Sequence, residues 1–403
     1  MKKYYRLLEI LCCLVYFTSY ITRINFGAVV AEIVTAEGFA KSTVSIVVVM
    51  GFISYGVGQL ISGVLGDIFS AKRLIFTGFL ATSACNLALP FCTAVPVMAV
   101  IWFFNGLAQA MMWPPLMKLM TQYLAGPRFS RVSANVVAAS AVGTIFVYLT
   151  APLFIRLESW RTVFYFSGGA GIVVAVVWIT VLPRILAHLK PVVFAQKPET
   201  KEQADSVKNI IWKYGLVFIC VAIIAQGLIR DGITTWMPSC IVEVFHMEAA
   251  SSILVSVVLP LFAIFSLKLF SLIQQKWVKN EIKLSAVLFL ICVVLISLWS
   301  VFYDGNVILS VLLPALVIGL VHGINLMLVC VVPKRFAGGG RVSMISGMLN
   351  FFTYVGSALS AYGMARLSEI FGWQATIWGW AAAAFMGLVM CCVCIRKFNE
   401  PSI

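Results

Sequence analysis

The sequence predicts an all-α membrane protein: twelve transmembrane helices arranged as two pseudo-symmetric six-helix bundles. Three observations carry that prediction. The 403 residues are 62% apolar and 11% charged, with a mean hydropathy of +1.01, and apolar runs of about 18 residues or more recur along the chain. Lysine and arginine gather in alternate loops. Short patterns in the first half return in the second at a nearly constant offset.

The runs place spans at about 8–34, 43–66, 74–94, 97–122, 132–155, 162–182, 213–239, 249–270, 284–303, 307–332, 342–366 and 374–395. The first is too long, and too polar at its end, for a cleaved signal peptide, so it reads as a retained helix. The fourth contains Trp113-Pro114-Pro115, which predicts a bend because proline lacks the backbone donor. After the sixth comes a polar stretch with Pro191, Pro198 and mixed charges, which reads as a linker. The organisation is therefore 1–182 for the first bundle, 183–212 for a cytoplasmic linker and 213–403 for the second bundle.

Of the 29 lysines and arginines, 23 fall at the two termini, in the middle segment and in the loops on the same side. Lys41, Arg156, Arg161 and Arg366 lie opposite. That bias puts both termini in the cytoplasm. It also explains the net charge of +14 without nucleic acid. The eleven cysteines are scattered through apolar runs and read as small buried filler. No spacing suggests a metal or a cofactor, no phosphate-binding loop suggests an ATP-driven pump, and no nucleophile motif suggests an enzyme.

The repeat rests on three pairs. Arg23 and Arg230 are 207 positions apart, Arg131-Val132-Ser133 returns as Arg341-Val342-Ser343 after 210, and Trp160 is echoed by Trp373 after 213. Three matches at nearly one offset suggest a duplicated six-helix unit.

Arg23 and Arg230 are the residues inside the spans that most need explaining. Arg23 lies about 20 Å along its helix from Ile10, and a guanidinium at bilayer depth keeps its charge at a cost that starts near 2.5 kcal/mol. Tyr16, Tyr20 and Arg23 share a face by i, i+4, i+7 spacing. The expected partner is an anionic solute in a wet cavity; a structural arginine capped by carbonyls or a carboxylate is the competing reading. Arg230 shares a face with Gln226 and Thr234. Asp231, one residue on, is expected to point about 100° away and is a possible proton site. Further polar stripes run through Tyr55, Gln59 and Ser62, through Asn105, Gln109 and Trp113, and through Asn350, Tyr354 and Ser357. His322 is expected to pair with Asn325, as a satisfied buried histidine or a proton site.

These residues resemble the major facilitator superfamily, and within it the organophosphate:phosphate antiporters, the group of the glycerol-3-phosphate and hexose-phosphate carriers. The stretches that carry the resemblance are Tyr20–Phe26, Ser54–Asp67, Gln109–Pro115, Arg230–Pro238 and Pro333–Gly356. It implies that Arg23 and Arg230 grip a substrate phosphate, and that Tyr16, Tyr20, Tyr55, Trp113 and Tyr354 line the cavity. It also implies that Asp67 and Arg73, in the loop from Gly63 to Arg73, hold a gate. Three positions depart from the family's basic groups: Ile24, Gln59 and Ser140. The expected function is exchange of a small organic anion, an organophosphate, for inorganic phosphate by a monomeric carrier. The alternatives are a proton-coupled symporter of an organic carboxylate, using Asp231, Glu32 or His322, and a transporter-like sugar-phosphate sensor.

Overall fold

The computed structural model describes residues 2–124, 126–191, 215–278, 280–333 and 342–395. Most of the expected linker 183–212, together with Lys334, Arg335, Arg341, Arg396 and Lys397, lies outside the described residues. The regular structure among the described residues is helical. The helices are α1 Lys2–Glu37, α2 Lys41–Ile68, α3 Ala71–Ala88, α4 Val95–Ala110, α5 Trp113–Tyr123, α6 Gly126–Leu157, α7 Trp160–Leu186, α8 Leu216–Phe245, α9 Ala249–Val255, α10 Val258–Lys276, α11 Glu281–Phe302, α12 Val307–Asn325 and α13 Val342–Cys394. Eleven helical runs among the described residues are long and apolar enough to cross a bilayer.

The last of these runs, Ile345–Cys394, holds two of the expected spans. It breaks at Gly372, with φ 79° and ψ 179°, a conformation that is essentially glycine's alone. The span expected at 249–270 is instead divided. α9 ends at Val255 and α10 begins at Val258, because the ring of Pro260 crowds the carbonyl four residues back, at Ser256. The bend at Trp113-Pro114-Pro115 is a clean break, with α4 closing on Met111 and α5 opening at Trp113. The eleven-residue loop expected from Gly63 to Arg73 shrinks to two residues. α2 continues to Ile68 and α3 starts at Ala71 once Ser70 has turned extended (φ −68°, ψ 139°). The expected span limits on both sides had stopped at the last apolar residues, whereas helices run on into the polar flank.

The described residues form two compact units. One runs up to residue 191 and also includes Glu248–Val257; the other has 215–247 and the described residues from Val258 onward. In the first unit, α1, α3, α5, α6 and α7 enclose a core that includes Leu8, Val15, Phe79, Leu116, Val136 and Trp178. α9 docks on α6 through Arg156, which donates to Glu248 (2.9 Å) and Ser251 (3.0 Å). In the second unit, α8 and α13 come into backbone contact. A Cβ on Gly227 would lie 2.1 Å from the Thr353 carbonyl oxygen, and one on Gly356 would lie 2.0 Å from that of Ile224. Only glycine allows that approach, a device expected where helices pack without water to drive them together.

The sequence repeat has a physical counterpart. In the first unit, Trp160 Nε1 at the start of α7 donates to Glu37 Oε1 at the end of α1 (3.0 Å). In the second, Trp373 Nε1 just past the Gly372 break donates to Glu243 Oε2 near the end of α8 (2.9 Å). The same tryptophan–glutamate latch ties α1 to α7 in the first unit and α8 to α13 in the second.

Candidate functional site

In the first unit, α1, α2 and α5 bring five of the expected residues together. The Arg23 guanidinium carbon lies 4.1 Å from the centre of the Tyr55 ring and 5.0 Å from that of Tyr20. Tyr20 meets Tyr16 edge-on at 5.3 Å, and Tyr16 meets Trp113 at 4.6 Å. The i, i+4, i+7 spacing on α1 supplies the first three residues. The Pro114-Pro115 break swings Trp113 into the group, and Tyr55, 6% exposed, closes it from α2. Cation–π contacts engage the plane of the guanidinium and stabilise its charge, by about 2 kcal/mol when desolvated. Oxyanion recognition uses the N–H edge, so the two are compatible.

One turn beyond Tyr55 on the same face, Gln59 Nε2 is buried and has no hydrogen-bond partner among the described residues, and the same holds for Ser62 Oγ. A buried donor left unpaired costs about 1–3 kcal/mol, so it marks a place suited to an external acceptor. Ser140 is buried, and its hydroxyl donates to the Val137 carbonyl of its own helix (2.6 Å). Arg73 is exposed at the start of α3, and the Asp67 side chain lies outside the described residues.

In the second unit, Arg230 is bound by Asp231. Arg230 Nε donates to Oδ1 at 2.8 Å and Nη2 to Oδ2 at 2.7 Å, with the two side chains 15% and 17% exposed. Ser357 Oγ on α13 also donates to Asp231 Oδ2, and Tyr354 lies 5.9 Å from the Arg230 guanidinium. The expectation that Asp231 points away is therefore wrong. Adjacent Cα–Cβ vectors do diverge by about 100°, but the long arginine side chain folds back across that angle. One face of Arg230 is thus committed to a bidentate pair that offsets its charge.

His322 does not pair with Asn325. His322 Nδ1 faces the Ile318 carbonyl at 2.9 Å, and Asn325 Nδ2 donates to Gln226 Oε1 at 3.3 Å. The Ile318 carbonyl, one turn back on the same helix, takes His322, and Gln226 on α8 takes Asn325. Beyond Asn325 the helix widens to a π turn over Leu326–Val331.

A feature the sequence reading missed is a polar core in the first unit, built from Thr22, Asn25, Thr82, Asn86, Asn105 and Gln109, each at most 2% exposed. Asn25 donates to Asn86 Oδ1 (2.7 Å) and Asn86 to the Thr22 carbonyl (3.0 Å). Gln109 donates to the hydroxyls of Thr22 (2.7 Å) and Thr82 (2.9 Å). The stripe Asn105, Gln109, Trp113 is thus split: its first two members join this network and its third the arginine site. The i, i+4 pair Thr82 and Asn86 was the signal in the sequence. The network fixes Thr22, and so the turn that carries Arg23.

The profile of the Major Facilitator Superfamily matches residues 12–361. The chain belongs to that superfamily. Its members are transporters, and this chain is a multi-pass membrane transporter rather than an enzyme. Among curated proteins it is similar to the "Probable hexose phosphate transport protein" of Chlamydia pneumoniae, 21% identical over 93% of this chain and 88% of the relative. It is also similar to the glycerol-3-phosphate transporter of Bacillus subtilis, 23% identical over 93% and 87%. Among solved structures, a bacterial homologue of the human lysosomal transporter Spinster shares the superfamily fold. Its TM-score is 0.84 with 13% identity, over 99% of this chain and 98% of that one.

Proposed function

We propose that this superfamily member is a secondary carrier of a small organic anion, an organophosphate such as glycerol phosphate or a sugar phosphate, exchanged for inorganic phosphate by alternating access. The observation that carries the reading is Arg23, set within a span with its guanidinium beside the rings of Tyr20 and Tyr55, a group whose paired N–H donors match phosphate oxygens. The hexose phosphate and glycerol-3-phosphate carriers among its relatives support the substrate class. In the first unit Gln59 adds a neutral donor, Tyr16, Trp113 and Ser140 extend the lining, and Asp67 and Arg73 form the gate. In the second unit Arg230 is the second cation, with Tyr354 beside it. The carrier sits in the bacterial inner membrane with both termini in the cytoplasm, as the lysine and arginine bias supports.

One observation favours a second reading. Asp231 offsets the charge of Arg230, which suits a monoanion and offers a carboxylate able to take a proton, as a carboxylate–proton symporter needs. A thermal-shift screen of purified protein separates the two. Stabilisation by inorganic phosphate and glycerol phosphate, weakened in Arg23→Gln, supports the exchanger. Stabilisation by carboxylates alone, unaffected by Arg23→Gln, overturns it.

A further inference from the structure

We propose that the first unit carries a second anion site, separate from the intramembrane arginines, that binds a phosphate group at the membrane rim. A cavity of about 320 Å³ there is lined by Lys2, Tyr5 and Arg6, with Glu9, Arg128 and Arg131. Four cations and one carboxylate give these residues a net charge of +3, in a volume within the range of small-ligand sites.

The depth follows from helix length. α1 has 36 residues, about 54 Å, against a hydrocarbon layer of about 30 Å. Its first turns therefore project to headgroup level, and Leu8 is the first fully buried side chain. The cavity lies between those turns and the first turns of α6.

The cations are arranged for more than solubility. The Arg128 guanidinium lies 4.2 Å over the Tyr5 ring, which holds its plane while its N–H edge serves an oxyanion. Glu9 accepts from Asn135 Nδ2 at 2.6 Å and pairs with Arg131 at 3.7 Å, so the one carboxylate is drawn to one wall. Lys2, Arg6 and Arg128 then supply the excess positive charge. Guanidinium forks and an ammonium suit a phosphate oxyanion, and basic pockets at the end of transmembrane helices suit anionic headgroups. The phosphate could come from a lipid diester or from a soluble monoester. The first would fix the helix ends at the interface, and the second would sense the soluble phosphate pool.

The test titrates the full-length protein in neutral detergent with short-chain phosphatidylglycerol, short-chain phosphatidylcholine, inorganic phosphate and glycerol phosphate, reading the thermal midpoint. Arg6→Gln/Arg128→Gln and Arg23→Gln are measured alongside. The proposal expects a response to phosphatidylglycerol, the soluble phosphates or both that persists in Arg23→Gln, where the intramembrane site is disabled, and whose apparent affinity falls about thirtyfold when Arg6→Gln/Arg128→Gln is combined with it. Phosphatidylglycerol alone identifies the lipid source; the soluble phosphates identify the other. A response wholly lost in Arg23→Gln belongs to the intramembrane site and overturns the rim site. So does a response equal for phosphatidylcholine, or none to any probe. Should the double variant not fold, the wild-type response in a salt series decides: an affinity unchanged between low and high salt contradicts a site built on exposed charges.

Discussion

Asp231→Asn isolates what the carboxylate does to Arg230. The variant keeps the side chain's size and removes its charge. The pair is bidentate, with bonds of 2.8 and 2.7 Å and both side chains more than four-fifths buried. Removing one partner of such a pair costs about 3–5 kcal/mol, and the remaining exposure lets water reach the freed guanidinium, so about 3 kcal/mol is expected. For a domain of about 200 residues that is about 6–12 °C in melting temperature. Anion binding should move the other way. A phosphate on the far edge of the guanidinium, about 8 Å from Asp231, is repelled by about 2 kcal/mol at an effective dielectric of 20, and losing that repulsion tightens binding about thirtyfold. Thermal unfolding of the purified protein, with and without inorganic phosphate, measures both effects. A variant that melts with the wild type, or binds phosphate no more tightly, refutes charge masking by Asp231.

Gln59→Leu removes a buried donor that has no acceptor among the described residues, so the ligand-free protein should be as stable or more stable, while phosphate binding weakens; a loss of stability with binding intact would assign Gln59 to packing. Asn86→Leu strands partners in the buried network and should cost about 1–3 kcal/mol, read as a lower melting temperature. Gly356→Ala drives a Cβ to 2.0 Å from the Ile224 carbonyl; the backbone must separate, and about 1–3 kcal/mol is lost, against almost nothing for Gly363→Ala, where a Cβ meets open space. Trp160→Phe and Trp373→Phe should each lower the melting temperature by a similar small amount, about 1 kcal/mol, because each breaks the same latch to a glutamate.

The spans and the arginine site were legible because they rest on periodicity. Apolar runs mark the helices, and i, i+4, i+7 spacing puts Tyr16, Tyr20 and Arg23 on one face. The tryptophan echo 213 positions apart marked the repeat without revealing its glutamate partners, which sit about 120–130 residues away in sequence. Asp231 was misread because backbone direction says little about where a long, charged side chain settles. The Thr82–Asn86 network was missed because each of its three helices shows only a short polar pair, and spacing within one helix does not say that the three pairs meet. The division at Ser256–Val257 was legible in principle from Pro260, within a run that apolarity alone made continuous.

Counterflow in proteoliposomes tests the central claim most directly. Vesicles loaded with inorganic phosphate, and given labelled glycerol phosphate outside, should take up label rapidly with the wild-type protein. Uptake should not occur in unloaded vesicles or with Arg23→Gln. Uptake that ignores internal phosphate and follows an imposed pH gradient, or that persists in Arg23→Gln, would contradict an anion exchanger built on that arginine.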